Sequence, residues 1–217
     1  VAEVSRTVLG DSLVAIRFFP ALFGSAVVVL GALIARELGG GRIAQGLAAF
    51  CVLTCPLFLR SANLLQPVVM DQLIWSGALY ALLRLCRGYG PGEWLLLGLV
   101  LGLGLLTKFS VVFIGLGITA GILLTPLRFA LLTPWPWFGL AAALAVGSPS
   151  LLGQIRLGFP VLDQMADLRE SQLVLVTPLG FMLGHLLWGP PVLIASAGHY
   201  GLFARPTLRP FRAVAWA

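Results

Sequence analysis

The chain has 217 residues, of which 59% are hydrophobic and only 10% are charged, with a formal net charge of +6 and a mean hydropathy of +1.00. A soluble globular domain is about half apolar and about a quarter charged. This composition therefore excludes a soluble globular domain and indicates that lipid surrounds the protein. The basic residues do not alternate with aromatic residues along one face, which argues against nucleic acid as a partner.

Seven apolar stretches divide the chain into predicted membrane spans. A transmembrane helix needs about 20 mostly apolar residues, and several of the stretches are somewhat shorter. They cover residues 18–35, 43–59, 67–85, 94–106, 109–124, 135–152 and 179–203. We therefore predict an all-α fold, a polytopic transmembrane helix bundle of about seven spans, which forms a single membrane domain over residues 1–217.

The fourth and fifth stretches flank Lys108 and can also be read as one long helix over residues 94–124. Cytoplasmic loops are enriched in Lys and Arg, so the arrangement that gathers basic residues on one side is favoured. With a break at Thr107 and Lys108, one side carries eight arginines against two glutamates, and the other carries six cations against six carboxylates. We therefore predict the break, and we predict that the arginine-rich side is cytoplasmic.

Three extramembrane segments follow from this topology. Residues 154–172 form the longest polar stretch and are predicted to be an outer loop, and the chain from Arg205 is predicted to be a cytoplasmic tail. Residues 4–16 alternate apolar and polar side chains. This pattern fits either an amphipathic helix on the outer surface or the remnant of a longer helix.

Four ionisable residues lie at the outer ends of predicted spans. Arg17 opens the first span, Arg60 closes the second, Asp71 lies one turn into the third, and Lys108 separates the fourth from the fifth. Ionisable groups near lipid are costly unless they reach water, find partners or serve a site. Either each side chain extends alone to the interface and anchors its helix, or the four converge on a pocket for a phosphate headgroup. We predict convergence, with Lys108 as the first candidate.

The remaining polar residues indicate no other chemistry. Cys51 and Cys55 share a helix face without a neighbouring His or carboxylate, so neither a metal site nor a disulfide framework is predicted. His185, near the outer end of the last span, is expected to be a core histidine. The sequence has no phosphate-binding loop, nucleophile elbow or dinucleotide fingerprint, so soluble-enzyme chemistry is unsupported and a cofactor is left open.

Several stretches resemble, in order, the bacterial membrane glycosyltransferases of family 39, the group of protein mannosyltransferases and aminoarabinose transferases with the GT-C fold. The resemblance is carried by residues 17–25, 65–75, 102–110, 133–137, 148–154 and 158–160.

This resemblance implies an enzyme of the bacterial inner membrane that uses a polyprenyl-phosphate-linked sugar at the periplasmic face, with membrane lipid as its surroundings and an acceptor that is not identified. Lys108, Arg17, Arg60 and Asp71 become candidates for binding the donor phosphate. In the family the general base usually belongs to an Asp-Glu pair in the first outer loop, and neither Glu3 nor Asp11 matches that pair. The catalytic residue is therefore unknown. We expect the chain to be a partial domain whose catalytic loop lies upstream, and to be inactive alone.

Two other functions remain open at this stage. A transporter or flippase fragment would carry polar residues at mid-membrane on facing helices, whereas the ionisable residues here lie near one interface. A non-catalytic membrane scaffold would need no convergent charges. The upstream sequence would discriminate between these alternatives and the enzyme, because only the enzyme requires the Asp-Glu pair.

Overall fold

A computed structural model describes residues 6–7, 10, 12–187 and 190–217, and within these it describes all side chains except those of residues 175, 185–187 and 190–194. The described part is helical and contains no strand, which confirms the all-α membrane bundle. The side chain of His185 and residues 4, 5, 8, 9 and 11 of the predicted surface helix over residues 4–16 lie outside what is described. From Leu13 onward that segment belongs to the first long helix, so Arg17 lies in the second turn of a helix and does not open it.

The principal helices follow one another through short connections. In chain order they are α1 (Leu13–Glu37), α2 (Arg42–Thr54), α3 (Pro56–Ser61), α4 (Pro67–Cys86), α5 (Gly92–Thr107), α6 (Val111–Leu123), α7 (Trp135–Arg156), α8 (Pro160–Ser171), α9 (Pro178–Leu187), α10 (Pro190–Ala204) and α11 (Arg212–Trp216). Short 3₁₀ turns cover Pro126–Leu132, Leu173–Leu175 and Pro206–Phe211.

Local sequence explains several helix boundaries. The Ser12 hydroxyl accepts the Ala15 N–H at 3.1 Å and so caps the start of α1. Cys55 is extended before Pro56, because the residue before a proline is disfavoured in the helical region. The predicted second span, 43–59, is therefore two helices. Lys108 is also extended, with φ of −158°, so the predicted break between the fourth and fifth spans is confirmed.

The lengths of the described helices bear on the predicted number of membrane spans. Three described helices, α1, α4 and α7, are long and apolar enough to cross a membrane, and α6 with the 3₁₀ turn after it makes a fourth if a 96° bend is allowed. Helices α2 and α5 are apolar but shorter. The predicted seventh span, 179–203, contains α9 and α10, and residues 188 and 189 between them are not described. The count of seven therefore stays a prediction.

Glycines set the closest helix contacts. A Cβ on Gly98 of α5 would collide with the carbonyl of Gly139 in α7, and one on Gly102 would lie 2.9 Å from the carbonyl oxygen of Ala143. Small residues of this kind let helix backbones approach each other in membranes. The contact residues increase in residue number along both helices in the same order, so α5 and α7 are parallel. Helix α6, which lies between them in the sequence, brings the chain back to the end where α7 begins.

The bundle therefore has two distinct ends. One end holds Asp71, Lys108 and Ser110, which contact one another. The other end holds Glu37 and Arg87, joined between α1 and α4, and Glu93 at the start of α5. We call these the Lys108 end and the Arg87 end. The core lies between α4, α5, α6 and α11, with Ala78, Leu82 and Ile114 almost fully buried.

The structure gives the conformation of both predicted extramembrane segments, whose membrane side stays a prediction. The stretch 154–172 is largely helical, since α7 continues to Arg156 and α8 covers Pro160–Ser171. The chain beyond Arg205 is not a free tail, because α11 turns back and packs along α6, where Ala213 is fully buried against Gly121. The glycine leaves room for the backbone of α11. Five residues are too few to register as a span, which is why the sequence pattern missed this contact.

Candidate functional site

The site begins with the Asp71 carboxylate on α4. Pro67 starts this helix, and Asp71 follows one turn later with a side chain that is only 16% exposed. Its Oδ1 accepts a hydrogen bond from Ser110 Oγ at 2.6 Å, and its Oδ2 lies 3.6 Å from Lys108 Nζ. The Ser110–Asp71 distance is that of a short hydrogen bond, whereas the Lys108–Asp71 distance is that of an ion pair without a hydrogen bond. Asp71 is thus oriented from the connection between α5 and α6.

Lys108 lies where α5 ends and before α6 begins. Its backbone is extended, and its backbone N–H donates to the Gly104 carbonyl at 2.9 Å, so the position of the residue is fixed. The side chain is 48% exposed. An ammonium group has three donors, and the ion pair leaves capacity for an anionic ligand. Every other basic residue in the sequence is an arginine, which makes Lys108 the only lysine.

An apolar groove of about 300 Å³ runs beside this ion pair. It lies between α1, the start of α4 and the end of α5, and its lining consists of Pro20, Phe23, Leu65, Gln66, Pro67, Val69, Met70, Leu106 and Thr107. Met70 and Thr107 immediately precede Asp71 and Lys108 in the sequence. The groove therefore adjoins the backbone of both charged residues, and its lining contains neither the Asp71 nor the Lys108 side chain.

Arg17 and Arg60 are the two predicted site residues that the described contacts do not join to the pair. Both are exposed, and neither forms an ion pair with a described carboxylate. Arg17 lies one helical turn before Pro20 in the groove. Arg60 precedes Ser61, whose Oγ lies 2.7 Å from Gln72 Oε1, so α3 is tied to α4 beside Asp71. Their participation in the site stays a prediction.

One residue of the site, and one buried donor on the same helix, were not found from the sequence. Ser110 lies inside the stretch 102–110 and next to Lys108, but its spacing gives no indication that the hydroxyl reaches α4. The Trp75 indole N–H lies one turn along α4 from Asp71 and is buried with no hydrogen-bond partner among the described residues. The Trp75 ring packs against the apolar core, and buried atoms without a partner also occur at the Arg87 end, so this donor alone does not mark the site.

The ionisable residues at the Arg87 end are arranged differently. Glu37 is almost fully buried, and Arg87 Nε lies 2.6 Å from its carbonyl oxygen and 3.4 Å from its Oε2. Arg84 and Glu93 form a second pair at 2.6 Å. These carboxylates are already engaged by arginines across α1, α4 and α5. The arrangement holds helix ends together, and Arg84 Nε and Glu93 Oε2 within it are buried without a hydrogen-bond partner in the described structure. The half-exposed ammonium group of Lys108 makes the opposite end the candidate site.

Comparison with known proteins identifies the family of the chain. A sequence-family model described as dolichyl-phosphate-mannose-protein mannosyltransferase matches residues 1–152, a range that includes Arg17, Arg60, Asp71 and Lys108. No curated protein and no solved structure matches the chain. The match spans 152 of the 217 residues and ends inside α7. The chain therefore belongs to the dolichyl-phosphate-mannose-protein mannosyltransferase family, whose members are membrane glycosyltransferases.

Proposed function

We propose that the full-length protein transfers a sugar from a polyprenyl-phosphate carrier to an acceptor at the Lys108 end of the bundle. The observation that carries this proposal is the apolar groove beside the Lys108–Asp71 pair. A polyprenyl-phosphate sugar has an apolar chain attached to an anionic phosphate. The groove offers a surface for the first isoprene units, and the ammonium group of Lys108 offers a charge-assisted hydrogen bond to the phosphate.

The chemistry assigns Lys108 to the leaving group. The acceptor hydroxyl attacks the anomeric carbon, the bond between that carbon and the phosphate oxygen breaks, and the phosphate leaves with the electron pair. The hydroxyl proton passes to a general base, which we do not assign among these residues. A cation that is already in position stabilises the charge that develops on the departing phosphate.

The Asp71 carboxylate neutralises part of the positive charge of Lys108, which would otherwise attract an anion. Its role in this proposal is to hold Lys108 in place, and its own position is fixed by Ser110. Binding a phosphate then requires more positive charge than Lys108 supplies alone. Arg17 and Arg60, which are exposed and without a carboxylate partner in the described structure, are the residues we propose for that contribution.

We propose that the Lys108 end faces the outside of the bacterial inner membrane. The support is the distribution of arginine. Arg36, Arg84 and Arg87 lie near the Arg87 end, where Arg42 begins α2 and Arg128 lies in the 3₁₀ turn after α6. Enrichment of basic residues marks the cytoplasmic side, so a carrier bound at the opposite end would be used on the extracytoplasmic side.

Replacement of Lys108 by Met in the full-length enzyme tests the proposal. Met retains an apolar stem of similar length, so loss of activity reports loss of the charge. We expect turnover with a polyprenyl-phosphate sugar to fall on the order of 100-fold or more, as for removal of a positioned donor at developing negative charge. The measurement is transfer of labelled sugar, normalised to folded protein recovered by size-exclusion chromatography.

Arg156→Met is the matched control, because Arg156 is an exposed cation at the Lys108 end of α7 outside the proposed site. It should retain wild-type turnover. Activity of the Lys108→Met protein within about twofold of wild type, where about 1.4 kcal/mol would already be tenfold, would remove Lys108 from the site.

A further inference from the structure

Helix α8 is an amphipathic helix outside the packed bundle. It contains no buried residue, and within the described chain it packs extensively only against the short turn Leu173–Leu175 that follows it. At 100° per residue, its apolar side chains fall on one face, and Leu162 and Met165 there are 61% and 51% exposed. Asp163, Asp167 and Glu170 occupy the opposite face. Apart from that turn, the apolar face has no extensive protein contact within the described structure.

A defined turn sets the direction of α8. Gly158 and Phe159 both have left-handed backbone conformations, with φ of 73° and 63°. The Phe159 N–H donates to the Gln154 carbonyl at 2.7 Å, and the Gln154 side-chain oxygen accepts the Val161 N–H at 3.2 Å. A left-handed conformation is unfavourable for a residue with a side chain, so surrounding contacts must maintain it. The residues of the stretches 148–154 and 158–160 thus build the connection between α7 and α8.

The length of α7 places this turn at the membrane surface. Trp135 and Trp137 lie at its first turn, and tryptophan is enriched at membrane–water interfaces. Arg156 follows Trp137 by 19 residues, which is about 29 Å of helix and about the thickness of the hydrocarbon layer. Exposed apolar side chains continue from Ile155 through Leu157 to the apolar face of α8. Apolar side chains are therefore exposed on both sides of Arg156 at the end of α7 and again on α8.

We propose that α8 lies in the membrane–water interface at the Lys108 end, with its apolar face in the lipid and its acidic face in water. The occupant of the apolar face is the bilayer. Lipid is already present at this depth around α7, and an amphipathic helix with a strongly charged face binds in the plane of the interface. At 100° per residue Arg169 lies within the apolar face, between Met165 and Leu162, and its long side chain can extend from there to lipid phosphates.

Spin labels along α8 test this proposal in the full-length protein, reconstituted in vesicles of phosphatidylcholine and phosphatidylglycerol. Single cysteines replace residues 161–171 in turn, in a background in which Cys51, Cys55 and Cys86 are alanine. Collision with oxygen reports lipid, and collision with a water-soluble nickel chelate reports water. We expect the two to vary out of phase with a period of about 3.6 residues, with oxygen highest at Leu162, Met165 and Leu168 and nickel highest at Asp163 and Asp167.

A label at Leu144 provides the lipid standard, since this residue is an exposed side chain of α7. Water accessibility on both faces of α8 would show that the helix stands away from the membrane. Low collision with both reagents on the apolar face would show that protein covers it, from a second copy or another part of the chain. Either result would overturn the proposal, and neither depends on transferase activity.

Discussion

At the scale of single residues, the Lys108 end is organised around one carboxylate that two neighbours hold. Asp71 receives a hydrogen bond from Ser110 and an ion pair from Lys108. The sequence was sufficient to predict that Asp71 and Lys108 lie together, because both are ionisable residues at ends of apolar stretches that are predicted to face the same side of the membrane. It was not sufficient to find Ser110, because a serine after a helix break has many ordinary roles and only the fold brings it to α4.

Ser110 should act as a positioning residue for Asp71, and therefore for Lys108. In Ser110→Ala the hydrogen bond to the carboxylate is lost, a contact worth about 1.5 to 3 kcal/mol when one partner is charged. Because Asp71 is partly exposed, we expect the lower end of this range and a loss of kcat/KM of about tenfold. Ser110→Thr keeps the hydroxyl and should restore most of the activity. Transfer assays over a range of donor concentrations provide the measurement.

Ser148→Ala is the comparison for this change. The Ser148 hydroxyl donates to the Ala145 carbonyl at 2.8 Å within α7, so it is a bonded serine outside the site. Its replacement should leave kcat/KM close to that of the wild type. Equal losses in the two alanine variants, or no rescue by Ser110→Thr, would indicate that Ser110 has only a general structural role.

At the scale of helices, close packing of α5 against α7 holds the end of α5 at the site. A Cβ at Gly98 would collide with the Gly139 carbonyl, which cannot move as a flexible side chain would. Gly98→Leu should therefore destabilise the bundle by about 1 to 3 kcal/mol or more, as for overpacking of a core. The expected result is a lower midpoint of thermal unfolding in detergent.

Gly115→Leu is the control for this prediction. Gly115 lies in the neighbouring helix α6, and a Cβ there meets nothing within 4 Å. Both substitutions replace a helical glycine by leucine, so the difference between their unfolding midpoints reports the α5–α7 contact alone. Similar midpoints for the two variants would show that this contact contributes little.

The helix boundaries show what the sequence pattern could provide. The break at Lys108 was predicted from the distribution of charge, since one long helix would have split the arginines between two sides. The break at Cys55 and Pro56 was not, because an apolar pattern continues across it. The return of α11 was also missed, because it depends on glycines about ninety residues earlier in the sequence and not on its own composition.

At the scale of the whole molecule, the two ends differ in how their charges are used. Ion pairs at the Arg87 end engage Glu37 and Glu93 with arginines, whereas the Lys108 end keeps a half-exposed cation beside an apolar groove. The overall positive charge indicated a sided membrane protein, but the sequence could not show the groove, since α1, α4 and α5 are required to form it.

Sidedness can be measured by cysteine labelling in intact cells. In a cysteine-free background, we expect Asp163→Cys to react with an impermeant maleimide added from outside, because the Lys108 end faces the exterior in our proposal. Arg128→Cys and Arg209→Cys, on connections at the Arg87 end, should react only after the cells are permeabilised. Reaction of Asp163→Cys only after permeabilisation would reverse the topology and, with it, the extracytoplasmic reaction.

The central claim is that the phosphate of a lipid carrier binds Lys108 beside the groove. The most direct measurement is the rate at which an amine-reactive reagent modifies Lys108 in the full-length protein, followed by mass spectrometry of the peptide that contains it. We predict that a polyprenyl phosphate slows this modification at concentrations where inorganic phosphate does not, because only the lipid also occupies the groove. An unchanged rate of modification when the enzyme is saturated with its donor would contradict the claim.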